Sequence, residues 1–134
     1  MAKVTVKRSQ REGFLDGIAG NFEIAIDRGE TSSPRSIELV LLGLGSCTIS
    51  TVQNYLARKG MSVDGLAVEV TSELNTATNA YGDFKISLTL DERFTPAERE
   101  IILGIAKSCR IHKTLTSGRE IALTLAAPAA GSTV

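Results

Sequence analysis

The sequence predicts an α+β domain in which mainly antiparallel strands pack on one long hydrophobic helix. Three observations carry this expectation. Several short stretches alternate apolar and polar residues with period two, the mark of half-buried strands. One uninterrupted stretch, 34–59, is apolar on nearly every helical face and reads as a buried helix. A Thr95-Pro96-Ala97-Glu98 capping box then opens a second helix.

At the N-terminal end, Val4 and Val6 alternate with Lys3, Thr5 and Lys7, and Phe22, Ile24 and Ile26 alternate with Glu23, Ala25 and Asp27. Both read as strands, with a weaker one around Leu15 and turns at Gly13, Gly17 and Gly20. The long helix is expected to start with Ser33 as N-cap and Pro34 in its first turn, where a missing N–H costs nothing. Arg58 and Lys59 suit its negative C-terminal end, and Gly60 its left-handed stop. Gly43 and Gly45 inside it suggest close approach of a neighbour. Leu66, Val68 and Val70, then Phe84, Ile86, Leu88 and Leu90, form a hairpin pattern around a polar loop, 75–83. The second helix is expected to run from Pro96 to Ser108 or Cys109, with Ile101, Ile102, Ile105 and Ala106 on its apolar face. After a Ser117-Gly118 turn, Ile121, Leu123 and Leu125 read as a last strand. The whole chain, 1–134, is one domain, with 126–134 as a flexible tail. The long helix is too apolar for one small sheet to cover, so a homodimer is expected.

Charge and composition exclude several classes. Fifteen Lys and Arg balance fifteen Asp and Glu, so no basic surplus favours nucleic acid. Trp is absent and aromatics are 4%, which disfavours base-stacking platforms. No run reaches the ~20 apolar residues of a membrane span, no secretory signal is visible, and the expected compartment is the cytoplasm. No phosphate-cradling glycine loop or nucleophile elbow is present.

Chemistry is carried by Cys47, within Gly43-Leu44-Gly45-Ser46-Cys47-Thr48, and Cys109, within Ser108-Cys109-Arg110-Ile111-His112-Lys113. Each cysteine can be a small buried hydrophobe. The two can form a redox pair if the fold brings their Cα atoms within about 7 Å. With His112 they supply three soft metal ligands, but in only half a zinc-site spacing.

The segment Pro34-x-x-Ile37-Glu38-Leu39-x-Leu41-Leu42-x-Leu44-Gly45-Ser46-Cys47-Thr48 and the segment Cys109-Arg110-Ile111-His112-Lys113-Thr114-Leu115 resemble the two cysteine signatures of the OsmC/Ohr family. The resemblance covers roughly residues 20–125 and is closest to the OsmC-like subgroup. It implies an intertwined α+β homodimer with sites at the subunit interface. It also implies a thiol-dependent peroxidase for organic hydroperoxides or hydrogen peroxide, in oxidative-stress defence. Cys47 matches the attacking cysteine and Cys109 the resolving one. An external dithiol, lipoyl-type or similar, reduces the resulting disulfide, and no bound cofactor is implied. The family activates its thiolate with an Arg held by a Glu. Arg28 is the candidate here, ahead of Arg11 and Arg8, with Glu38 as its partner. His112 and Thr114 match positions read as structural. Two positions depart from the pattern: Ile37 stands where better-studied members carry the Glu, and Arg110 replaces a Pro. They motivate an alternative, an OsmC-like binding or structural dimer with little peroxide turnover.

Overall fold

The computed structural model describes residues 1–27 and 32–126. Arg28 and the expected tail from residue 127 onward lie outside the described residues. Three strands, β1 (Thr5–Arg8), β2 (Phe14–Ala19) and β3 (Phe22–Asp27), form an antiparallel sheet in chain order. The weak stretch around Leu15 is thus the central strand. Gly17 marks no turn: it sits inside β2, opposite Ile24, where a Cβ would come within 3.1 Å of Ile26 Cδ1.

Helix α1 spans Ser36–Arg58, with Arg35 as its N-cap. The start expected at Ser33 and Pro34 is displaced because the Pro34 carbonyl accepts the Asp27 N–H at 2.9 Å, which ties that stretch to the end of β3. Glu38 Oε1 instead accepts from the Arg35 backbone N–H at 3.0 Å and from its Nε at 3.1 Å. Ser33 Oγ is buried with no hydrogen-bond partner among the described residues. The helix stops as expected at Gly60, whose φ of 66° is strained for any residue with a Cβ.

Strands β4 (Ala67–Thr71) and β7 (Lys85–Thr89) pair antiparallel, Val68 with Leu88 and Val70 with Ile86. The loop between them is more ordered than its polarity suggested, for it contains a small hairpin of β5 (Leu74–Asn75) and β6 (Ala80–Tyr81). Helix α2 spans Pro96–Ala106 under the expected capping box, with the Glu98 N–H on Thr95 Oγ1 at 3.2 Å and the Thr95 N–H on Glu98 Oε1 at 2.9 Å. It ends before Ser108, and Cys109 caps a separate short helix, α3 (Arg110–Thr116).

The core lies where one stripe of α1 meets α2 and the inner face of the β4–β7 pair. Val52, Leu56, Ile102 and Ala106 are buried together, flanked by Met61, Leu66, Leu88, Leu90 and Phe94. Gly45 lets α1 approach β4: a Cβ there would stand 3.1 Å from Val70 Cγ2 and 3.4 Å from Val68 Cγ1.

As expected of a helix too apolar for one small sheet to cover, α1 is covered on one side only within the single chain, with Val40 and Leu42 exposed. Two expectations need correction. The length and composition of α1 do reach those of a membrane span. Counting uninterrupted apolar residues missed this, because Ser, Thr and Gly break the run without making the stretch polar. Within this fold the buried stripe Leu44, Thr48, Val52 and Leu56 serves as a core face. The expected strand at Ile121–Leu125 is absent; residues 119–126 are exposed and irregular. A strand needs a neighbouring edge, and within the described residues no strand pairs with this segment.

Candidate active site

Packing of α2 on the lower half of α1 carries the end of α2, and with it Cys109, back to the middle of α1. There the Cys47 and Cys109 thiols stand in hydrogen-bonding contact, although 62 positions separate them in sequence (109 less 47). Both are free thiols, Cys47 half-buried and Cys109 fully buried. Thus the fold brings together the two residues that sequence reasoning singled out.

Their surroundings make them unequal. Burial pushes the Cys47 thiol up, but four donors outweigh it and leave its pKa below the ordinary thiol value. These are the Cys109 S–H, the backbone N–H groups of Ile111 and Arg110, and the Thr51 hydroxyl. Hydrogen bonds to a charged form favour that form. The Thr51 hydroxyl also donates to the Cys47 carbonyl at 2.8 Å, so its one proton serves either acceptor in turn. For Cys109, burial again pushes the thiol up. Its hydrogen bond to Cys47 and the nearby thiolate charge push it further, and the N–H groups of His112 and Ile111 only partly compensate. Cys47 therefore ionises first, while Cys109 stays protonated as its donor.

The kink between α2 and α3 makes this possible. Cys109 adopts extended torsions, φ −55° and ψ 138°, and its Sγ accepts the His112 N–H at 3.4 Å as the N-cap of α3. Sulfur here takes the place of a usual oxygen cap. The first N–H groups of α3 lack helical partners, and two of them point at Cys47. Thr114 Oγ1 returns a hydrogen bond to the Arg110 carbonyl at 2.8 Å. The sequence reading missed Thr51 and the backbone donors. Thr51 lies one turn after Cys47, a visible signal; the backbone donors depend on a helix break that residue types alone do not announce.

The expected cation and carboxylate do not assemble beside Cys47 within the described residues. Arg28 lies outside them. Glu38 pairs with Arg35, which holds its carboxyl below the usual range. Glu38 lies nine positions before Cys47 on the helix, about half a turn away in angle and ~14 Å along the axis. Glu38 instead borders an apolar groove of about 1130 Å³ lined by Leu41, Leu42, Ile49, Val68 and Val70. Arg11 lies over the Phe14 ring, 3.6 Å from its centre, and Arg8 belongs to β1. Cys47 opens on a different cleft, of about 720 Å³, which it shares with Thr51, Asn54, Arg58, Ser108 and Arg110. Among the described residues no three His, Cys, Asp or Glu side chains could hold a metal ion.

Such an arrangement can do thiol chemistry: one accessible thiol is biased toward its anion, and a second waits in contact. The chain is similar to the OsmC-like protein from Mycoplasma pneumoniae, with a TM-score of 0.78 and 18% identity, covering 88% of this chain and 89% of that one. It is also similar to the organic hydroperoxide resistance protein OhrB of Bacillus subtilis, with a TM-score of 0.56 and 19% identity over 88% and 92% of the two chains. A third similar structure is an organic hydroperoxide resistance protein OsmC from Legionella pneumophila, with a TM-score of 0.55 and 15% identity over 87% and 89%. At such identities the likeness is one of fold. A search of the curated proteins found no match. The model of the family described as OsmC-like protein, however, matches residues 29–124, most of the chain, and the chain therefore belongs to the OsmC-like family.

Proposed function

We propose that the protein is a thiol-dependent peroxidase that reduces organic hydroperoxides, acting as a homodimer in the cytoplasm. The observation that supports this most is the contact between Cys47 and Cys109, with the first thiol lowered and the second raised. The Cys47 thiolate attacks the distal peroxide oxygen. The O–O bond breaks, the alkoxide leaves and takes a proton to become an alcohol, and Cys47 becomes a sulfenic acid. Cys109 sulfur then attacks Cys47 sulfur, the S–O bond breaks, and water leaves with the Cys109 proton. An external dithiol, lipoyl-type or similar, reduces the disulfide by two exchanges and is itself oxidised to a disulfide. Ile111, Arg110 and Thr51 hold the attacking charge. In this reading Arg28 keeps its role as the activating cation, and Glu38 acts as its partner across a subunit boundary.

Dithiol-dependent consumption of cumene hydroperoxide by wild type, Cys47→Ser and Cys109→Ser tests the reading. Turnover by wild type and its loss in Cys47→Ser are expected. An inert wild type, or an undiminished Cys47→Ser, would refute it.

A further inference from the structure

The cleft that exposes Cys47 carries a charge pattern that thiol chemistry does not require. Cys47, Thr51, Asn54 and Arg58 lie on one stripe of α1, at spacings of four, three and four. Arg58, in the last turn of α1, lines the same cleft as the Cys47 sulfur. Arg110 enters from the opposite wall, on the first turn of α3. Ser50, Ala57 and Ser108 complete the lining, and no carboxylate is among these residues. No salt bridge within the described residues involves either guanidinium. Two arginines lining one cleft with the nucleophile, with no carboxylate in its lining among the described residues, select for negative charge on whatever approaches it.

We propose that Arg58 and Arg110 form a recognition site for a carboxylate on the molecule that reacts with Cys47. The groups are specificity determinants; the reacting atom is the sulfur. Guanidinium forks match a carboxylate in geometry as well as charge, and the cleft has room for a small molecule carrying one. The carboxylate can belong to the hydroperoxide or to the reducing dithiol, and this part of the proposal rests on the peroxidase reading.

Alkylation tests the cleft without turnover. Iodoacetate and iodoacetamide attack the same thiolate and differ in whether the reagent bears a carboxylate, so any change in thiol ionisation or folding cancels in their rate ratio. The ratio of iodoacetate to iodoacetamide is expected to fall about 3-fold in Arg110→Gln, and further in Arg58→Gln/Arg110→Gln, as partly exposed charge pairs allow. Arg110→Lys keeps most of the ratio, and added salt lowers it in wild type. A ratio indifferent to both arginines overturns the proposal. Steady-state arms then locate the carboxylate. Dihydrolipoate is compared with dihydrolipoamide, and linoleic acid hydroperoxide with its methyl ester. Preference for the acid in the first pair assigns the site to the reductant; preference in the second assigns it to the oxidant. Preference in neither overturns it. An arginine-dependent ratio without peroxide consumption would sink the peroxidase reading alone. Consumption with an arginine-independent ratio would sink the cleft proposal alone.

Discussion

The Cys109 thiol donates to the Cys47 thiol while its own sulfur caps α3. One side chain thus fixes both the donor to the attacking sulfur and the direction of the backbone N–H groups that help to hold its charge. The order of ionisation follows from burial: Cys109 is the more enclosed of the two, and charge is costlier where water is excluded.

The pH dependence of Cys47 reactivity follows with a definite sign. Its pKa is lowered in the fold, so the thiolate persists below the pH at which an ordinary thiol protonates. Reactivity falls only as pH drops through the lowered value. Cys109→Ala removes the S–H donor and the cap, which moves the midpoint up; Cys109→Ser keeps a donor and moves it less. Iodoacetamide rates against pH, read by mass spectrometry at Cys47, check this. An unmoved midpoint in Cys109→Ala would show that the contact does not control ionisation.

Oxidation should follow the same geometry. One equivalent of hydroperoxide is expected to remove two hydrogens per chain from wild type, about 2 Da, as the disulfide closes. In Cys109→Ser the product becomes a sulfenic acid, about 16 Da heavier and trapped by dimedone. Intact mass and peptide mapping distinguish these. A dimedone adduct on wild-type Cys109 in place of Cys47 would reverse the roles of the two sulfurs.

Much of this was readable in the sequence, for identifiable reasons. Alternation located β1, β3, β4 and β7; in β4 and β7 every second side chain is half-buried, whereas all of β1 is exposed in the single chain. The Thr95–Glu98 box located α2 because its hydrogen bonds are local. What failed depended on distant partners. The start of α1 is set by β3 through the Asp27–Pro34 bond, and Pro34 alone could not reveal it. The break between α2 and α3 puts a cysteine in a role usually taken by Ser, Thr, Asp or Asn, so Cys109 looked like a helix end. Glu38 matched a motif position, yet its orientation on α1 turns it away from Cys47. A motif gives order along the chain, whereas a site depends on angle around the helix.

Crowding at one site and open space at another give two glycines opposite responses. Gly45→Val drives methyl groups toward Val68 and Val70, whose atoms already lie 3.1–3.4 Å from a Cβ at that point. A loss of about 1–3 kcal/mol is expected from overpacking. Gly104, in α2, has nothing within 4 Å of its Cβ position. There Gly104→Ala should gain up to about 1 kcal/mol from helix propensity. Urea unfolding of both variants measures the difference; destabilisation by Gly104→Ala would show that this face of α2 is covered.

The proposed dimer predicts the fate of the C-terminal apolar alternation. Leu123 and Leu125 are 94% and 100% exposed in the single chain, Phe22 is 75% exposed, and Leu42 61%. A free surface this apolar invites association. Ile121, Leu123 and Leu125 keep a strand's alternation without a strand's partner, which a second copy can supply. Sedimentation equilibrium should therefore give twice 14.2 kDa. On a single chain, Leu123→Asp would cost little, since the side chain touches mainly water. In a dimer it removes a buried leucine contact worth about 1.5–3 kcal/mol per subunit and places a charge where none can be solvated. A shift toward monomer and a lower melting temperature are expected. A Leu123→Asp protein that keeps both its mass and its melting temperature would show that this segment lies outside any subunit contact.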